Sequence, residues 1–370
     1  MQHRHRVSYE TRHLLIAVVL TISMFVDNSC KDDDSIVIPP AISADTTNHN
    51  FTWTVYRLGG NFHYNVFYDV AIVNDSLIYA VGELYLLDSL GREDPQPYNL
   101  ATWNGRDWNI SRVSYMYQGT RFTPPIYCLF ALDKKNIWFA GGIMIFWDGE
   151  RFAQIDDIIP VVYGIQQNRI WTNARNNIYV VGWHGTIVHY NGTTWSKMES
   201  GTTVNLEDVW GTPDGKTVWA SGFESDFSRS VLLKYDGVKW RTVWERGAVY
   251  PSMPFYGLIT GIWASNSYFY ATSDAGIYRL DLSTDTSTTK KQPIEPIRGS
   301  HAIRGTPSGS SIAAVYEDGI IWHYDGQDWR EVHTLTLDHK LRSLAVSTHL
   351  IVAVGIDNST GKALIYMGRH

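Results

Sequence analysis

Between residues 206 and 244 the apolar positions fall into short runs, separated by breaks of Gly, Asp, Pro and Ser. The pattern predicts four strands, at 206–210, 217–220, 231–235 and 240–244. They are joined by a turn at 212–215, a polar loop at 222–229 and the pair Asp236-Gly237. Val, Leu, Trp and Tyr favour strands, and an Asp-Gly pair between two such runs marks a hairpin because Gly supplies the positive φ of the turn. Runs such as Val231-Leu232-Leu233 and Ile320-Ile321-Trp322 show no polar alternation. Such strands are buried on both faces, as in a sheet packed between neighbouring sheets.

The unit recurs. An aromatic–Asn/Asp–Gly–x–x–aromatic turn stands at Trp103–Trp108, 147–152, Tyr190–Trp195, Tyr235–Trp240 and Tyr324–Trp329. Gly105, Gly149, Gly192 and Gly237 are 44, 43 and 45 residues apart. Gly326 follows after 89 residues, two periods, and Gly368 after a further 42. A second strand recurs at 78–82, 137–141, 178–182, 218–222, 269–273, 312–316 and 351–355. A period in the forties points to a propeller, and seven units of four strands predict an all-β, seven-bladed β-propeller.

The ends fit a closed ring. The last unit stops at Tyr366-Met367-Gly368 without an outer strand, whereas residues 51–56 supply a tryptophan strand with no partners of its own. The N-terminal strand is expected to complete the last blade and remove an exposed edge. In phase and closure, residues 51–370 resemble the seven-bladed WD-repeat propellers, without their Gly-His and Trp-Asp dipeptides. The turns resemble degenerate Asp-box repeats, with Asp directly before Gly where that motif has one residue between them.

Composition changes the picture little. Aromatics are 14% and charged residues 18% of the 370 residues, as suits a large all-β core. The net charge is −6 with no basic cluster, which argues against nucleic acid as a partner. Expected packing wedges are Trp108, Trp195, Trp240 and Trp329, each contributing at most about 4–6 kcal/mol by burial.

The N-terminus reads differently. Arg4, Arg6 and Arg12 precede a thirteen-residue apolar run at 14–26, too short for a comfortable membrane span and suited to a signal peptide. Ser29-Cys30 and then Lys31-Asp32-Asp33-Asp34 follow. This resembles the signal and acidic export tag of Bacteroidota-type surface lipoproteins. The resemblance implies a signal peptide at 1–29, lipidation at Cys30 and anchorage in the bacterial outer membrane, with surface exposure and no other membrane contact. Residues 30–50, with Pro39-Pro40, read as a tether. Cys128 then has no disulfide partner and is expected to be a buried small hydrophobe.

Chemical motifs are sparse. Residues 211–217 (GTPDGKT) are one residue short of a phosphate-binding loop and join two strands where that motif opens a helix, so they read as a turn. His189 and His323 occupy a repeat slot that elsewhere holds Lys234, Phe146 or Thr102, and so read as structural. No catalytic residue, metal or cofactor is expected. Long loops at 83–98, 113–125, 222–229 and 246–256 share one face and carry the aromatics. The expected reading is a binding module, a monomeric ring whose glycan or protein ligand contacts Tyr117, Phe122, Trp183, His184, Phe223, Tyr250 and Tyr256. A carbohydrate-active enzyme working in the channel mouth and a scaffold subunit of an envelope complex are the alternatives.

Overall fold

The computed structural model describes residues 48–370 except 62, 163, 249–254, 256, 284–289, 293–299 and 317–318. The expected signal peptide, the expected lipidation site Cys30 and the expected tether up to residue 47 therefore lie outside the described residues, as do Tyr250 and Tyr256. The described residues form seven four-stranded antiparallel sheets. Blades 1 to 6 span 66–111, 128–154, 167–198, 206–245, 259–291 and 300–334. Blade 7 comprises 339–369 with Thr52–Leu58 as its outermost strand. Among the described residues no helix is long and apolar enough to cross a membrane.

The closing strand behaves as its sequence implies. Thr52–Leu58 pairs in register with the final strand, from Thr52 opposite Arg369 to Leu58 opposite Ala363. Trp53 lies so close over Gly368 that a Cβ there would meet the indole at 2.9 Å, and its Nε1 donates to the Val332 carbonyl of blade 6 at 3.1 Å. Arg57 Nε donates to Asp357 Oδ2 at 3.1 Å, joining the strand to the blade it completes.

Burial of both sheet faces produces one hydrophobic cluster at each blade interface. Phe67, Trp103 and Val352 pack between blades 7 and 1, Trp171, Leu206 and Leu233 between blades 3 and 4, and Trp263, Tyr270 and Trp329 between blades 5 and 6. The outer-strand tryptophans reach into the preceding blade. Trp195 meets Trp138, Trp240 meets Tyr179, and Trp329 meets Tyr270, with ring centroids 6.2–6.4 Å apart. Trp108 meets Tyr56 of the closing strand at 6.3 Å. These rings are wedges between blades. Cys128 is fully buried in the same way.

The repeated turns owe their shape to one side chain and one glycine. Asp236 Oδ1 accepts the amides of Val238 and Lys239 at 3.0 and 2.9 Å, and Asn104, Asp148, Asn191 and Asp325 act alike. The following glycine takes φ near +90°, for example +91° at Gly237, where a side chain would be strained.

The second repeated glycine has a different cause. Six of the seven innermost strands carry a bulge near their start, at Tyr68, Asn168, Glu207, Thr260, His301 and Arg342. A Cβ on Gly82, Gly182, Gly222 or Gly355 would lie 1.9–2.0 Å from the carbonyl oxygen two residues before the bulge. Glycine lets the second strand approach the bulge.

Candidate functional site

The innermost strands line a central channel. In register, Asp69, Cys128, Arg169, Asp208, Gly261, Ala302 and Ser343 follow the bulge position. Two positions further on come Ala71, Phe130, Trp171, Trp210, Trp263, Arg304 and Ala345.

The first of these levels forms a buried polar network. Asp69 receives the Ser343 hydroxyl at 2.6 Å, the Leu129 amide at 3.0 Å and Arg169 Nη1 at 2.7 Å. Arg169 Nε faces Asp208 at 3.4 Å. Asp208 also accepts the Ile262 amide at 2.9 Å and both terminal nitrogens of Arg304 at 3.0 Å. Arg304 stands in the slot of Trp210 and reaches back to that carboxylate. All seven blades contribute a group, and two carboxylates balance two guanidiniums. Burial alone would lower the arginine's pKa, but Asp69 and Asp208 hold Arg169 above its ordinary value. Burial raises the Cys128 thiol beside this network, which leaves it protonated and unreactive.

Below the network the channel opens as an apolar cup on the face of the tight turns. Two contiguous cavities, about 130 and 260 Å³, share Phe130, Ala131, Trp210 and Gly305. Trp171 and Trp263 are buried in the wall, while Phe130 and Trp210 are half-buried, with ring centroids 5.7 Å apart. The Arg304 guanidinium stacks 4.6 Å from the Trp210 ring centre, which fixes the indole from beneath. Pro213, in the 211–217 turn, and Pro307, in the corresponding turn of blade 6, form part of the rim.

The other mouth, toward the long loops, is polar. Tyr68 and Tyr127 meet at 5.0 Å, and Tyr85 donates to Glu83 at 2.6 Å. Burial, then the Glu83 charge, pushes the Tyr68 phenol up to about 12. The hydrogen bond to Glu83, then burial, pushes Tyr85 up to about 12. Burial raises Glu207 from the ordinary carboxylate range, with Arg169 opposing.

The aromatics expected to contact ligand are dispersed around this loop face. The 113–125 loop contains its own hairpin, Tyr115–Tyr117 with Thr120–Phe122. Phe122 is exposed and stacks on Tyr115 at 5.8 Å, and Tyr117 belongs to the same hairpin. Trp183, 41% exposed, lines a groove of about 350 Å³ with Pro124, Pro125, Tyr127 and Gln166. His184 has a positive φ of 56° and donates its amide to Asn205 Oδ1 at 3.0 Å. Phe223 packs on Phe227 at 5.9 Å. The structure thus joins Tyr117 to Phe122 and Trp183 to His184, while Phe223 lies with a different neighbour.

No family model matches the chain, and no curated protein matches it. Among solved structures it is similar to YCF48 bound to D1 peptide, with a TM-score of 0.59 and 12% identity, covering 86% of this chain and 97% of that one. It is equally similar to a catalytically inactive virginiamycin B lyase from Staphylococcus aureus with quinupristin, with a TM-score of 0.59 and 11% identity, covering 86% of this chain and 100% of that one. These likenesses show the fold alone. The fold is a seven-bladed propeller.

The cup and the network had a signal in the sequence. Ile170-Trp171-Thr172, Val209-Trp210-Gly211 and Ile262-Trp263-Ala264 repeat an apolar-Trp-small triplet, and Ile303-Arg304-Gly305 takes the same place. Aligning the repeats on their innermost strands would have exposed both the tryptophans and the charges embedded beside them.

Proposed function

We propose that the protein is a binding module that seats an apolar side chain of a protein ligand in the channel cup of the tight-turn face. The observation that carries this reading is the pair of half-buried rings, Phe130 and Trp210, over a floor whose charges are already matched. Such walls exchange water for apolar surface, and rigid rings lose little entropy on binding. A neutralised floor offers no net charge to a phosphate or a free carboxylate. Asp69 and Asp208 are both committed to arginine and backbone donors, which favours binding over acid–base catalysis at this end of the channel. A peptide complex of a similarly folded protein, YCF48, is in keeping with a polypeptide ligand.

A second reading keeps the ligand, glycan or protein, on the loop face, because Trp183 stands exposed in its groove. In both readings the ring is displayed at the cell surface on a lipid anchor at Cys30, as the N-terminal residues suggest. Replacing Cys30 by Ser should release the protein from membranes or leave it unprocessed. Native mature protein without an acyl mass would refute the anchor.

The faces are separated by panning a displayed peptide library on the purified ring and measuring the selected peptide by calorimetry. Phe130→Ala and Trp210→Leu should each weaken binding by about 1–2 kcal/mol, while Phe122→Ala and Trp183→Ala leave it unchanged. The reverse pattern would place the ligand on the loop face, and binding of glycans but no peptide would refute the protein ligand.

A further inference from the structure

We propose a divalent-metal site at the seam between the N-terminal lead-in and blade 6, formed by His49 Nε2, Asp325 Oδ2 and Asp328 Oδ1. The three residues can each offer a donor atom within 4.8 Å of the others. His49 Nε2 lies 3.2 Å from Asp325 Oδ2 and 3.0 Å from Asp328 Oδ1. A tetrahedral zinc ion bonded to nitrogen and oxygen at roughly 2.0–2.2 Å places adjacent donors about 3.3–3.6 Å apart, so these donors need to separate by only a few tenths of an ångström to admit it. Two carboxylates and one imidazole also match a divalent charge and a borderline metal.

Blade 6 departs from its sister hairpins at this point. In blade 4 the second oxygen of the turn aspartate, Asp236, is taken by Arg241 of its own hairpin at 2.7 Å. In blade 2, Arg151 faces Asp148 in the same manner at 3.4 Å. Arg330, the blade 6 counterpart of Arg241, instead engages Asp328 Oδ2 at 3.0 Å. Asp325 Oδ1 is held by the amides of Gln327 and Asp328 at 2.9 and 3.0 Å. Each carboxylate is therefore fixed through one oxygen and presents the other to His49.

The imidazole is oriented from behind as well. His49 Nδ1 is 3.1 Å from Nδ1 of His323, which is fully buried and has its Nε2 2.9 Å from the Ser311 hydroxyl. A buried partner on the far ring nitrogen is the support that metal-ligating histidines use. When His49 donates its Nδ1–H to His323, its Nε2 lone pair points at two carboxylate oxygens. Three acceptors meeting in this way call for a cation between them. The side chains of His49 and Asp325 are 12% and 18% exposed against 52% for Asp328, which leaves a route for the ion and space for water ligands. An ion here ties the residue just before the closing strand to the neighbouring blade, so occupancy should strengthen ring closure. The inference does not depend on the ligand-binding reading.

The test is titration of chelator-treated full-length protein with zinc chloride, followed by calorimetry and thermal melting. Wild type should bind with a component that Asp328→Asn and His49→Gln each weaken at least tenfold, and zinc should raise its melting temperature by a few degrees, reversed by chelator. Circular dichroism establishes that both variants fold, and His184→Ala, an exposed histidine on the loop face, should titrate like wild type. Indistinguishable titrations of wild type and His49→Gln would overturn the site. So would an unchanged wild-type melting temperature, since a proton would then be what bridges His49 and the carboxylates.

Discussion

Two aspartates of blade 4, Asp236 at the rim and Asp208 in the channel, are the same residue in opposite circumstances. Asp236 holds the turn of its own hairpin, accepting amides two and three residues away and the guanidinium of Arg241 five residues away. Those bonds lower its pKa well below the ordinary carboxylate range. Asp208 binds Arg304, 96 residues away, and the Ile262 amide, 54 residues away, at 2% exposure. The rim carboxylate shapes a local turn in water, where an ion pair contributes little. The channel carboxylate is one member of a set from which no charge can be removed without stranding another. Sequence distance between partners, more than the kind of bond, separates the two.

If non-locality is what makes a contact critical, the outer edge of the ring should be critical where a whole strand is held non-locally. Deleting residues 51–58 strips blade 7 of its outer strand and exposes the edge of its last strand. The expected result is aggregation or the largest loss of melting temperature of any variant described here, read by differential scanning calorimetry. A truncated ring that melts like the full chain would break the comparison.

Next comes Asp208→Asn, which leaves Arg304 and Arg169 buried beside a neutral amide. Urea unfolding should show a loss of about 3–5 kcal/mol. Removing the charge at both ends, with Asp208→Asn and Arg304→Met together, should recover part of it, because the loss reflects a stranded cation.

Asp236→Asn should have the smallest effect, since Asn can cap the same turn and only the ion pair with Arg241 is lost. Its direction with pH is fixed. A carboxylate whose pKa is depressed on folding stabilises above its unfolded value, near 3.9, and that contribution is lost as pH falls below it. The small gap in melting temperature between wild type and Asp236→Asn should therefore be present at pH 7 and close in acid. A gap that widens in acid would contradict this assignment.

The chain by itself determined what depends on neighbours in sequence. The aromatic–Asp/Asn–Gly turns, the glycine ending the second strand, and the unpaired first strand set the blade, the number of blades and the manner of closure. Each follows from bonds or steric limits within one repeat, or from an edge that one remaining strand can cover. The tertiary structure alone decided the rest. Asp69, Arg169, Asp208, Arg304 and Ser343 lie in separate repeats, and only the ring brings them to one level of the channel. His49 meets Asp325 and Asp328 only because the closing strand brings the two ends of the chain together. The candidate ligand seat moved for the same reason. Long loops advertise their aromatics in sequence, whereas Phe130, Trp171, Trp210 and Trp263 each look like one more core residue of a strand. They become a cup only where the innermost strands converge around a channel too wide for their side chains to fill.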